Sequence, residues 1–141
     1  MTTTSPPEYG PPISLDDAKK VMAAAEAEAV TNRWPMVIAI VDSAGYLTLL
    51  HKLDNAQLGS VDVAQAKAAT SLKFKRETKI LQDAIASGGV GLRVLAMPGL
   101  TPLEGGVPLF KDGKIVGAIG VSGMLSTQDA QVAAAGAGAL H

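Results

Sequence analysis

His51 is the one histidine inside a chain of 141 residues; the other, His141, is the last residue and reads as frayed. An imidazole at the end of a strand can act as a general base or as an axial ligand to haem iron. Its structural alternative is a hydrogen bond to a neighbour. Asp54 and Glu104 are the carboxylates that stand in loops beside strands, where ligand-binding groups concentrate. Together with His51 they form the acid–base set that an enzyme acting on a small organic acid would use, an isomerase, hydrolase or dehalogenase of a catabolic pathway. Asp42 and Asp112 are accounted for by turn chemistry.

Lys67, Lys73, Lys75, Arg76 and Lys79 are a local basic cluster, either a solvated helix face or a seat for ligand carboxylates. Lys67 is the best placed of them, because Ala64, Ala66 and Ala68 leave space around it. Gly105 and Gly106 suggest a bend with close backbone approach. Ser122 and Gly123 lead into a helix starting at Ser126, whose free N–H groups favour an anion. The expected ligand-binding set is therefore Lys67, Gly105, Gly106, Gly120, Ser122 and Gly123, around a small anionic molecule. The chain has no cysteine, and no Walker, HExxH, GxSxG or zinc-ligand spacing, so no metal site is expected.

The elements that must position these groups are legible in part. Lys111-Asp112-Gly113-Lys114 reads as a tight turn, since Asp and Gly tolerate positive φ, and it joins strands over residues 107–110 and 115–121. Alternation puts Ile115, Gly117, Ile119 and Val121 on one face, with Val116, Ala118, Gly120 and Ser122 opposite. So small a second face admits a helix, a second subunit or a flat ligand close to the backbone. Residues 37–42 read as a central strand and 46–52 as its antiparallel return, with Leu47, Leu49 and His51 sharing a face. Ser14 caps a first helix, Ser60 a second, and Thr78 stands near the start of a third that Gly88-Gly89 stops. Ser126 with Asp129 reads as a capping box for a last helix of Ala, Val and Gly, buried between the sheet and a neighbouring subunit. Residues 91–108, broken by proline and glycine, form a loop long enough to be functional.

Composition limits the rest. Apolar residues make up 48% and charged residues 18%, with a net charge of −1, so nothing favours nucleic acid. Residues 1–12 carry four prolines and read as a flexible arm ahead of a single domain over 13–141. The arm has no basic n-region or apolar h-region, and the longest bulky apolar run, residues 36–41, is too short for a bilayer. A cytoplasmic protein that touches no membrane is the expectation.

The stretches VPLFKDGKIVGAIGVSG and VIAIVDSAGYLTLL resemble the GlcG/HbpS family of small haem- or ligand-binding proteins, which includes the PduO C-terminal domain. The resemblance runs from Ile13 to Leu140. It implies an α+β fold: a profilin-like antiparallel sheet of about five strands flanked by helices, in the order α-β-β-α-α-β-β-β-α. It also implies homo-oligomers and a ligand near the subunit interface, with haem as cofactor. The axial options in this chain are His51, Met97, Met124, Tyr46 and Thr101. A Lys-Ala pair on the second helix recurs in the family, which favours Lys67.

Overall fold

The computed structural model describes residues 5–141. Its elements are α1 (Leu15–Thr31), β1 (Val37–Asp42), β2 (Leu47–Lys52), α2 (Ser60–Phe74), α3 (Thr78–Ala86), a 3-10 segment (Gly89–Ala96), β3 (Gly106–Lys111), β4 (Lys114–Ser122) and α4 (Ser126–Ala137). The four strands form one antiparallel sheet in the order β2-β1-β4-β3. The α+β class and helical flanks agree with the sequence, but the sheet has four strands instead of about five. The order implied by the resemblance puts three strands between the third and last helices, where only β3 and β4 form. Residues 91–108, read as a loop, hold no strand before Gly106. There the chain makes a 3-10 segment with repeated one-turn hydrogen bonds, followed by Pro98, Gly99 and Pro102, which cannot sustain a ladder.

Two helices cover one face of the sheet. Ala18, Val21, Met22, Ala25 and Ala29 of α1 and Val132 and Ala133 of α4 pack on Ile38, Ile40, Leu109, Ile119 and Val121. Helix α2 covers the other face through Ala64, Ala68 and Leu72, against Val37, Ala39, Val41, Ile115 and Ala118. Alternation assigns most of these residues correctly, but not Ile115 and Val116. A register shift opposite Leu109 and Phe110 pairs them with Gly117 and Ile115, leaving Val116 as an extra residue. The faces invert across it, so Ile115 joins the α2 side and Val116 the α1 side.

The local chemistry of the termini follows expectation at some ends and departs at others. Ser14 Oγ accepts the Asp17 N–H at 3.1 Å and caps α1. Asp112 and Gly113 hold φ values of 52° and 77°, the all-positive pair of a two-residue hairpin. Ser60 is not a cap but the first residue of α2, where its hydroxyl accepts from Gln57 at 2.9 Å. At α4 the N-cap is Leu125, whose N–H is taken by Gln128 Oε1 at 3.2 Å, while Asp129 accepts from Met124 N–H at 3.0 Å. The helix lying across α4 belongs to the same chain: a Cβ on Gly136 would stand 3.1 Å from the Cβ of Ala25 in α1.

The arm expected over residues 1–12 lies partly outside the described residues, and its described portion is tied down. Gly10 N–H bonds Ile115 O at 2.8 Å, Ile115 N–H returns to Glu8 O at 2.9 Å, and Tyr9 OH donates to Leu72 O at 2.7 Å. Lys75 Nζ stands 4.6 Å over the Tyr9 ring. This run takes the place beside β4 that six-residue β1 is too short to fill along a nine-residue partner.

Candidate functional site

The small-residue face of β4 is occupied by the chain itself. A Cβ on Gly120 would lie 2.0 Å from Ala64 O and 2.6 Å from Ala68 N, so α2 rests its backbone directly on the strand. Of the three occupants the sequence allowed, the helix is the one present. Gly105, at φ 131°, has no room for a side chain either, since a Cβ would meet Val121 O at 2.7 Å and Lys67 Nζ at 2.9 Å. Gly106 presses against Lys67 O and Thr78 of α3. Ser122 Oγ meets Ser60 Oγ at 3.1 Å, and Gly123 lies against Pro35 and Met36.

Lys67 is committed within the fold. Its ammonium donates to Val121 O at 2.8 Å and to Asp129 Oδ2 at 3.0 Å, with the two side chains only 3% and 4% exposed. The residue thus pins α2 to the end of β4 and the first turn of α4. Burial holds the Asp129 carboxyl above its ordinary range; Lys67 and the Met124 N–H pull it back, and the negative charge of Glu104 adds to the rise. Glu104 lies at the entry to β3, where its N–H bonds Gln82 Oε1 of α3 at 2.9 Å. Thr78 Oγ1 fastens the same loop, donating to Leu103 O at 2.5 Å and accepting from Gly106 N–H at 2.9 Å.

His51 lies at the opposite edge of the sheet. In β2 it pairs with Ile38, and its Nδ1 stands 2.9 Å from Glu26 Oε1 of α1, the two side chains being 45% and 37% exposed. Beside it runs a groove of about 300 Å³, lined by Lys19, Met22, Ala23, Glu26, Leu49 and His51. Asp54 is elsewhere again, on a cleft lined by Arg33, Trp34, Pro35, Leu53 and Asn55. The acid–base set of His51, Asp54 and Glu104 is therefore spread over three places, with β2 and β3 at opposite edges. Asp42 proves a turn residue, its Oδ1 accepting from Ala44 at 2.9 Å and Tyr46 at 3.1 Å. Among the described residues no three His, Cys, Asp or Glu side chains gather as a metal site, and no helix is long and apolar enough to cross a membrane.

Sequence reasoning missed two partners that decide these roles. Glu26 follows Met22 by one helical turn, so its place beside the apolar stripe was available from spacing. Asp129 is 62 residues from Lys67, and no local pattern joins them.

Comparison with known proteins fits this architecture. The family described as Haem degrading protein HbpS-like matches residues 13–138. The chain belongs to the HbpS-like family. Protein GlcG of Escherichia coli K12 is 40% identical over 110 residues, covering 78% of this chain and 81% of the relative. The corrinoid adenosyltransferase PduO of Salmonella typhimurium is 31% identical over 123 residues, 86% of this chain but 37% of that protein. Among solved structures, the haem complex of PduOC superposes with a TM-score of 0.82 at 29% identity, over 92% of this chain and 96% of that one. A double mutant of Streptomyces reticuli HbpS gives 0.83 at 29% identity, over 100% and 91%. The resemblance to GlcG, HbpS and PduO drawn from the two hairpin motifs thus holds.

Proposed function

We propose that this chain is a haem-type ligand-binding protein and that the ligand lies in the groove between α1 and β2. The observation that carries this reading is the His51–Glu26 pair. A carboxylate on Nδ1 fixes the ring and its tautomer, and it leaves Nε2, which has no partner among the described residues, beside an apolar groove. Met22, Ala23 and Leu49 supply the apolar wall, and the Lys19 ammonium at the rim suits a propionate or another carboxylate. The donor set fits a porphyrin with one protein axial ligand; when bound, the iron supplies redox and ligand-exchange chemistry that no side chain here has. A PduOC relative of the same fold is solved as a haem complex, which supports the ligand class.

The groove is small for a whole porphyrin. The ligand then presents its other face along the open edge of β2, where a neighbouring subunit would meet it. Lys67, Gly105, Gly106, Gly120, Ser122 and Gly123 play a supporting part in this reading: they set α2 and α4 against the sheet, and an anion there would have to displace Asp129 from Lys67.

Hemin titration of the purified protein tests it. The expected result is a saturable Soret shift, abolished or spectrally altered by His51→Ala and weakened about 10–100-fold by Glu26→Gln. A non-saturating response, or a His51→Ala variant with unchanged spectrum and affinity, overturns the assignment.

A further inference from the structure

A second cleft, of about 440 Å³, opens where the exit of α1 meets the turn after β2, and it shares no lining residue with the His51 groove. Its walls carry one charge of each sign, Arg33 and Asp54, set among Val30, Trp34, Pro35 and Leu53. Both charged residues are exposed, and neither forms an ion pair with the other or with any described residue. Opposite charges that line one cleft without closing on each other stay available to a molecule between them.

The backbone fixes both walls. Trp34 N–H bonds Ala29 O at 2.9 Å and Arg33 N–H bonds Val30 O at 3.0 Å, the pair of bonds that ends a helix on a left-handed residue. That residue is ordinarily glycine; here it is Arg33, at a φ of 60°. The helix end would be served better by glycine, so the fold gives no reason for a guanidinium at this point. On the other wall, Ala56 N–H bonds Leu53 O at 3.1 Å and closes a turn over Asp54 and Asn55, the latter at a φ of 66° that asparagine tolerates. Leu53 N–H bonds Met36 O at 2.9 Å and fastens the two segments together, so the charges are set before a ligand arrives.

We propose that this cleft binds a small zwitterion, an α-amino acid with an apolar side chain, its carboxylate on Arg33 and its ammonium on Asp54. A planar guanidinium takes a carboxylate through two parallel N–H bonds, and a carboxylate accepts from an ammonium. A simple anion or cation would satisfy one wall and be repelled by the other, whereas a molecule bearing both charges satisfies the two together. Val30, Trp34, Pro35 and Leu53 give its side chain an apolar seat, and the volume lies within the range of small-molecule sites. The proposal uses nothing of the His51 groove and is tested on haem-free protein, so the two readings stand or fall separately.

Trp34 is the chain's one tryptophan, half-buried between the core and the cleft, so its fluorescence reports occupancy. Titration with L-phenylalanine or L-leucine should give a saturable change below about 10 mM, repeated by calorimetry. Phenylpropionate, which lacks the ammonium, and phenethylamine, which lacks the carboxylate, should each bind about 10–100-fold more weakly than L-phenylalanine. Arg33→Gly should abolish binding without lowering the thermal midpoint, because glycine suits the left-handed backbone. Asp54→Asn should weaken L-phenylalanine about 10–100-fold without weakening phenylpropionate. No saturable response to either amino acid by both methods, equal affinity for L-phenylalanine and phenylpropionate, or an Arg33→Gly variant that binds as wild type does, overturns the proposal.

Discussion

Two nitrogen–carboxylate pairs of nearly equal length have opposite standing in this molecule. Lys67 and Asp129 meet at 3.0 Å inside the fold, while His51 and Glu26 meet at 2.9 Å on its surface. The first joins three elements, and the ammonium spends two of its three N–H groups inside the fold, on Asp129 Oδ2 and Val121 O. The second ties a helix to an edge strand and leaves one ring nitrogen beside an open groove. Separation alone says little about the role of such a pair. Burial, and what the remaining lone pairs and protons face, decides whether it serves the fold or a ligand.

The strongest way to break the comparison is Lys67→Ala, which strands Asp129 in a buried site. It should destabilise the protein by about 3–5 kcal/mol, read as a lower urea midpoint; a loss below about 1 kcal/mol would mean the pair is no more than a surface contact. His51→Ala should change stability by less than about 1 kcal/mol in the same assay, because its pair is exposed. A large loss there would make His51 a fold residue and remove its freedom to bind. The smallest effect sharpens the surface case. Lys111 holds the Asp17 carboxyl below its ordinary value of 3.8. That contribution is complete above the ordinary value and fades as pH falls through the lowered one, and added salt should screen it away. An acid-unfolding midpoint unmoved by Asp17→Asn would show the contact to be idle.

How much of this was legible in the sequence depends on the range of the interaction. The Asp112-Gly113 hairpin, the Ser14 cap and the central apolar strand follow from neighbouring residues, and they stand as read. The small face of β4 was legible as a demand for close approach, but alternation cannot name what approaches, and the answer is α2. Lys67 among alanines looked like a charge with space around it; its partner, 62 residues on, fills that space. Ile115 and Val116 exchanged faces because a single extra residue inverts a period of two. His51 was singled out by scarcity, and the groove beside it is walled on one side by α1, which no strand pattern reveals.

The short N-terminal run beside β4 has a practical corollary for anyone trimming the protein. Removing residues before Ile13 would strip the cover from Lys114 to Val116 and leave raw main-chain donors and acceptors where Glu8 and Gly10 now bond. The truncated chain should still fold, but it should grow sticky. Its light scattering would climb over days of storage while that of the full chain stays flat, and a truncated chain that stayed clear would show that run to be ornamental.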